Sequence, residues 1–471
     1  MRAYLLRLSD TLRTSYWFLP TIMTLMAMVL ASVMIWADTH VGSEWMDRLP
    51  WLYAARPNGA RQVLSAIGGS MITVAGTVFS VTIAAVVYAS GQYGPRLLSN
   101  FMSDRGNQTT LGTFIGTFVY CLLVLRTIRS PDEASVGAAF VPNLALLVAF
   151  ALALCSIAVL IFFIHHVPSK IHINNVIEDI GDRLLEEIDN RFPRFIGAPR
   201  PDDAGQDDGA RVPATFRLGA GVQDGANREQ VRSRQTGYLQ LVDDEALLSV
   251  ARRHDLVLRL QYQPGDFVHV GRTLIEAWPP ESCDDAAAET IRAAFAVGSR
   301  RTALQDLRFL IDELVEIAAR ALSPGVNDPF TAVTCLDWLG AALSDIAGRQ
   351  LPSHLRLDDD GALRVITHPI TFEHFMDRSF GALAQYCAGD MVAAVRFIGA
   401  LGEVCLDCDD PERRAIVSAH VDKFEDLSRT VLTGVNLARV SARADDLRRA
   451  LAEPDYQRRL RDTGAWLGGT A

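Results

Sequence analysis

Between Gln62 and Pro95 the chain has no Asp, Glu, Lys or Arg. A helix so short of charge is too apolar for the surface of a soluble protein. Three more apolar segments lie nearby, which makes the class a multi-span membrane protein. No span core holds an Asp, Glu, Lys, Arg or His. Proton relays, voltage sensors and ion-coupled carriers usually keep ionisable groups inside the membrane. Their absence places a pump well below a passive pore or an anchor. A basic excess is also missing: the formal net charge is -10. That argues against nucleic acid as the main partner. The seven cysteines are odd in number. Cys121 and Cys155 fall in apolar spans, and Cys283, Cys335, Cys387, Cys405 and Cys408 are scattered. This is no disulfide framework, and it suits a reducing compartment. There is no Walker motif, GxSxG, HExxH, phosphate-binding glycine loop or tandem repeat. The expectation is a protein without enzymatic activity, cofactor or metal.

What is present begins with four candidate spans: Trp17–Trp36, Leu64–Tyr88, Thr109–Leu125 and Pro142–Ile164. Each is near the roughly 20 residues that cross a hydrocarbon core. Arg2, Arg7 and Arg13 precede the first, whose length exceeds a signal-peptide core, so it reads as an uncleaved span. Trp17 and Trp36 suit the two interfaces. The third span is the weakest, with Gln108 before it and Arg126 close behind. Four spans put both termini on one side. Arg48, Arg56, Arg61, Arg96, Arg105, Arg126 and Arg129 spread over the loops and decide little. The large portion after the fourth span, with its unpaired cysteines, places both termini in the cytoplasm.

Hydrophobic residues make up 49% and charged residues 21% of the 471, so a sizeable soluble portion dilutes the spans. The domains read as a transmembrane region over 1–168, a membrane-exit helix over 169–196 and a linker over 197–235. A small β-rich module follows over 236–280, then a mainly helical domain over 281–471. In the exit helix Val176, Ile177, Ile180, Leu184, Leu185 and Ile188 recur at helical spacing. Gly197–Gln235 is rich in Pro, Gly and Asp and reads as flexible. The module takes strands at Tyr238–Val242, Leu256–Tyr262, Asp266–Val270 and Thr273–Trp278, with a short helix at Asp244–His254 and a turn at Pro264-Gly265. Its Gly265–Gly271 pattern is similar to barrel-sandwich modules of the biotinyl type, but no lysine sits at the turn to carry a cofactor. Helices follow at Ala303–Leu322, Pro329–Ile346, Thr371–Ala388, Met391–Leu406 and Arg413–Gly434. A hairpin interrupts them at Leu355–Ile366, turning at Asp358–Gly361.

Four constellations stand out. In the second span Gly69, Thr73, Gly76 and Ser80 share one helix face, with Ser70 and Thr77 beside it. Small residues let backbones approach and hydroxyls bond across the contact, which describes a helix–helix seam. Hydroxyls also offer water-like contacts to a passing ion, with Val78, Phe79 and Val81 as apolar constrictions, which describes a pore lining. Gly112-x-x-x-Gly116 is a second close-packing signal. Asp104 and Arg105, in the polar segment Asn100–Gln108, form the candidate inner mouth. The string Ser323–Pro329 reads as a helical-hairpin turn, with Gly325 ending one helix and Asp328 capping the next ahead of Pro329. Its functional alternative is a ligand or ion site combining Asn327 and Asp328 with Arg301, Gln305 and Asp306. Cys405-x-x-Cys408 lacks the further ligands a zinc site needs, and His165-His166 reads as an interfacial pair.

Several strings together resemble one bacterial family. They are Ala75-Gly-Thr-Val-Phe-Ser-Val-Thr-Ile-Ala-Ala85, Gln92-Tyr-Gly-Pro-Arg-Leu-Leu98, Asn107-Gln-Thr-Thr-Leu-Gly112, Gly237-Tyr-Leu-Gln240, Pro264-Gly-Asp-Phe-Val268 and Arg301-Thr-x-x-Gln-Asp306. The most specific is Ala321-Leu-Ser-Pro-Gly-Val-Asn-Asp-Pro-Phe-Thr-Ala332. The family is the predicted-membrane-protein family called domain of unknown function twenty-two fifty-four. The resemblance implies an inner-membrane protein with N-terminal spans and a cytosolic domain, and it supplies no activity. The fold expected is a four-helix transmembrane region followed by a cytosolic α+β portion. Two functions remain open: a homo-oligomeric channel with ions as passengers, or a membrane-anchored scaffold or sensor. The lipid bilayer is the partner in both.

Overall fold

The computed structural model describes residues 15–40, 56–94, 104–130, 140–192, 212–213, 216 and 228–463. Arg2, Arg7, Arg13, Arg48, Arg96, residues 100–103 and most of the 197–235 linker lie outside the described residues. Two compact units emerge, one ending at Asn175 and the other beginning at Val176.

The first unit holds four helices: α1 (Phe18–His40), α2 (Pro57–Tyr93), α3 (Arg105–Thr127) and α4 (Asn143–Ile171). Pro57 opens α2 at a position where a missing N–H costs nothing. The 37 residues of α2 extend roughly 55 Å, well beyond a hydrocarbon core of about 30 Å. Asp104 caps α3, accepting from Asn107 N at 2.9 Å.

Helix α3 packs against each of the other three and forms the hub of the bundle. It is also the most polar of them. Asn107, Gln108, Thr110 and Thr117 are all buried along it. Thr117 Oγ1 lies 3.1 Å from Ser156 Oγ on α4, and Tyr120 donates to Ala145 O at 2.9 Å. The glycine pair makes the crossing with α1. A Cβ on Gly112 would sit 3.1 Å from Pro20 Cα, and one on Gly116 3.5 Å from Ala27 Cβ. Asp38, near the end of α1, accepts from Leu144 N and Ala145 N, both at 2.9 Å, and so satisfies the start of α4.

Helix α5 (Ile173–Arg191) carries Val176, Ile177, Ile180, Leu184 and Ile188 as a buried stripe. The second unit continues with β1 (Glu229–Arg232), β2 (Gly237–Val242), α6 (Asp244–Arg253), β3 (Val257–Leu260), β4 (Phe267–Val268) and β5 (Thr273–Trp278). Then come α7 (Asp285–Ala293), β6 (Phe295–Gly298), α8 (Leu307–Ala321), α9 (Pro329–Ala347), β7 (Leu355–Leu357) and β8 (Leu363–Ile366). Helices α10 (Phe372–Met376) and α11 (Ala382–Cys387) flank a π-helical turn at Asp377–Gly381. The chain then forms α12 (Met391–Asp407), α13 (Pro411–Val431), α14 (Gly434–Ala452) and α15 (Pro454–Thr463).

The strands divide between a five-stranded sheet, ordered β1-β5-β3-β8-β7, and a three-stranded sheet, ordered β4-β2-β6. Neither sheet closes within 236–280. Strand β6 completes the smaller one, and the β7–β8 hairpin joins the larger through a parallel pairing of β3 with β8. The β-rich module therefore borrows strands from the segment read as helical, because an open edge of β3 needs a partner for its backbone groups. The hairpin turns where expected, with Gly361 at φ +77 and its N–H on Asp358 O.

Among the described residues five helices are long and apolar enough to cross a membrane by length and composition: α1 to α4, and α9. Helix α9 belongs to the second unit, where α8 and α12 pack on it. A Cβ on Gly340 would lie 3.2 Å from Ala400 Cβ, so the two helices cross closely there and a larger residue would press them apart.

Candidate functional site

Helix α2 has two faces with the same spacing and opposite surroundings. Leu64, Met71, Ala75, Val78, Thr82, Val86 and Ala89 are buried, inside a bundle where α2 packs on α3 and α4. The six small residues lie elsewhere. Gly69, Ser70, Thr73, Gly76, Thr77 and Ser80 are all exposed on the single chain. A Cβ added to Gly69 or Gly76 would meet nothing within 4 Å. The seam reading therefore has no partner among the described helices of the same chain.

Each hydroxyl on that face bonds back to its own helix. Ser70 donates to Ala66 O at 2.7 Å, Thr73 to Gly69 O at 2.8 Å, Thr77 to Thr73 O at 3.1 Å and Ser80 to Gly76 O at 2.9 Å. This satisfies the donors and leaves lone pairs outward. Of the three residues read as apolar constrictions, Val78 is buried inward and does not reach this face. Phe79 stands 6.3 Å from the Tyr16 ring and 6.5 Å from the Trp17 ring. Val81 is exposed.

Asp104 is committed on two sides. Besides capping α3, its Oδ2 takes a hydrogen bond from His166 Nε2 at 2.8 Å. His166 in turn stacks on Phe162 with centroids 4.8 Å apart. Gly106 is what lets the imidazole in, since a Cβ there would strike the ring. The pair ties α3 to α4. Arg105 is exposed beside it.

The candidates of the second unit do not converge. Asp306 sits at the start of α8, whereas Asn327 and Asp328 follow its end. The 15 residues between amount to roughly 22 Å of helix. At the far end Asp328 caps α9, accepting from Thr331 N at 3.2 Å and Thr331 Oγ1 at 2.6 Å. The left-handed residue of this turn is Asn327, at φ 51, and not Gly325. An Asn tolerates that conformation because its short polar side chain can bond locally.

At the near end a chain of charges forms. Arg301 reaches Asp306 Oδ2 and Asp312 Oδ2, each at 2.5 Å. Arg308 bonds Asp306 Oδ1 at 3.2 Å, Asp266 Oδ1 at 3.0 Å and Pro264 O at 2.6 Å. Arg378 bonds both oxygens of Asp312 at 2.7 Å. Burial opposes the charge on Asp312, but the hydrogen bonds from Arg378 and Arg301 outweigh it and hold its pKa below the usual carboxylate range. Three arginines meet three carboxylates, so the cluster is balanced and works as a clasp. It joins the β2–β4 sheet, α8 and the π turn. Gly265, at φ +96, is required there because a Cβ would strike the Asp306 carboxylate. Gln305 is used differently: its amide pairs with the backbone of Val242, at 2.7 and 3.0 Å. Asp266, Arg308, Asp312 and Arg378 escaped the sequence reading, since their partners lie up to 66 residues away.

Burial pushes the Cys408 thiol up, which keeps it protonated and poorly nucleophilic at neutral pH. Cys283 is pushed up to about 11 and Cys387 to about 12, also by burial. Among the described residues no group of three or more His, Cys, Asp or Glu comes together to hold a metal.

A family model described as predicted membrane protein (DUF2254) matches residues 13–403. An uncharacterized protein of Mycobacterium tuberculosis is 30% identical over 417 residues, covering 88% of this chain and 76% of the relative. An uncharacterized protein of Mycobacterium bovis is similar to the same extent. No solved structure matches the chain. The chain belongs to this family of predicted membrane proteins.

Proposed function

We propose that this member of the predicted-membrane-protein family is a homo-oligomeric ion channel or pore of the bacterial inner membrane. In this reading α1 to α4 are the four spans, α9 is a core helix of the second unit, and both termini are cytoplasmic. The second unit assembles or gates the pore. The observation that carries the reading is the open face of α2. Six small or hydroxylated residues stand exposed there, while the opposite face is spent on the bundle. A lipid-facing helix has no use for such a row, but an aqueous path formed between copies does. Asp104 and Arg105 would then flank the inner mouth.

The back-bonded hydroxyls favour a second reading. Because they are satisfied without water, the same face also suits a dry contact between copies, and the protein is then a membrane-anchored scaffold or sensor. Recording from the full chain in planar bilayers separates the two. A channel gives unitary currents whose amplitude changes in Ser80→Asp. Silence across voltage, tension and ion composition, from protein shown to be oligomeric, rejects the pore and leaves the scaffold.

A further inference from the structure

The five-stranded sheet has an inner face and an outer face, and the outer one is divided. Its inner face carries Val231, Leu258, Leu260, Ile275, Ala277 and Val365 into the core. On the outer face Val257, Leu355, Leu357, Leu363 and Ile366 form an apolar half, covered by Phe216. The other half is polar and open. Strand alternation puts Gln230 and Arg232 of β1, Arg259 of β3 and Glu276 of β5 on that side, since their neighbours Val231, Leu258, Leu260, Ile275 and Ala277 all point inward.

Here lies a cavity of about 530 Å³, lined by Arg232, Gln261, Tyr262, Arg272, Thr273 and Glu276, with Gly271 at its rim. Its charge is one-sided. Glu276 is taken by Arg228 at 2.9 Å. Among the described residues the Arg232 guanidinium bonds a neutral group, Gln230 Oε1 at 3.1 Å. Arg259 stands 5.9 Å from the Phe216 ring. The Arg272 guanidinium has no partner among the described residues. Two guanidiniums, Arg232 and Arg272, thus line the cavity beside one carboxylate that Arg228 already neutralises, on a chain whose net charge is -10. Cations gathered against the overall sign of a protein mark a place where an anion lowers the energy.

We propose that this basin binds a small soluble phosphorylated ligand. The guanidinium fork matches a phosphate with two parallel hydrogen bonds, and Arg232 and Arg272 both line the cavity. Gln261, Thr273 and the Tyr262 hydroxyl supply neutral polar contacts for the rest of the molecule. The volume lies within the range usual for small-ligand sites, about 300–1,000 Å³. Phe216 lies under Arg228 and Arg259, and Arg228 in turn holds Glu276 at the cavity. The inference does not depend on whether the spans conduct.

The test is calorimetric titration of the full chain in phosphatidylcholine nanodiscs with inorganic pyrophosphate and with ATP. Saturable binding is expected, weakened about tenfold or more in Arg232→Ala and in Arg272→Ala, because each deletes a charge-assisted hydrogen bond. Both side chains belong to exposed residues, so thermal melting should not change. Arg458→Ala, a surface ion-pair residue on α15, should bind as the parent does. Failure of both probes to saturate, or equal affinity in the parent and Arg272→Ala, overturns the proposal. A lipid headgroup is the competing source of phosphate. Binding that is unchanged in nanodiscs doped with phosphatidylglycerol supports the soluble ligand, and binding abolished there overturns it.

Discussion

Helices α2 and α3 lie against each other, yet they place their polarity in opposite directions. Over its most apolar window α2 has a mean hydropathy of 2.0 with 28% of that window buried, whereas α3 has 1.5 with 56% buried. The less apolar helix is the one the bundle encloses. In water this would be costly, because a polar side chain loses its hydration on burial. Inside a bilayer the alternative to burial is hydrocarbon, so polar groups gain by turning inward to partners. Thr117 with Ser156 and Tyr120 with Ala145 are such partners. Helix α2 breaks the pattern, with its small polar row pointing out. That exception is why its open face is the candidate site.

The rule that buried polarity must be partnered extends to the second unit, and its largest expected effect lies there. Asp312→Asn leaves Arg301 and Arg378 facing a neutral amide. We expect a loss of about 3 kcal/mol, read from denaturant unfolding. The pH dependence has a definite sign. Because the folded pKa of Asp312 is depressed, its contribution is full above the ordinary carboxylate pKa of about 3.9. It is lost as pH falls from there through the folded value. Stability of the second unit that is flat from pH 5 to pH 2 would reject this account.

Next in size is the α1–α3 crossing. Gly112→Leu forces a side chain into Pro20 and Met23, and overpacking of this kind costs about 1–3 kcal/mol. Gly76→Leu on the open face should leave the melting of the monomer unchanged while disrupting assembly of copies. Equal damage from the two would erase the contrast between the helices. Light scattering in detergent, beside thermal melting, reads both quantities.

Smaller still is Thr117→Val, which deletes one interhelical hydroxyl contact worth about 0.6 kcal/mol. Thr77→Val, whose hydroxyl bonds only within α2, should fall within about 0.5 kcal/mol of the parent. A Thr77→Val loss larger than that of Thr117→Val would show that the open face is already packed in the folded protein.

Much of the architecture was legible along the chain. The apolar runs located α1 to α4 to within a few residues at most ends. Asp328 before Pro329 announced the start of α9, and Asp358–Gly361 the hairpin turn, because caps and turns act on neighbouring residues. Long-range pairing was not legible. Strand β8 joins β3 across about a hundred residues, and nothing in either strand names the other. Arg301 and Asp306 stood out in the sequence as candidate site residues, but not as an ion pair. That they close on Asp312, Arg378 and Arg308, far from Asn327 and Asp328, depends on how α8 lies.

The second span shows where the division falls. Its lack of charge fixed the membrane class, since no soluble surface tolerates such a helix. Its sequence also contains two interleaved patterns of three- and four-residue steps, one through Leu64, Gly68, Met71, Ala75 and Val78, the other through Gly69, Thr73, Gly76 and Ser80. Periodicity alone treats them alike, because both define a stripe on a helix. Only the packing of α3 and α4 selected the first as the inner face and left the second open. A stripe has a direction only once there is something to face.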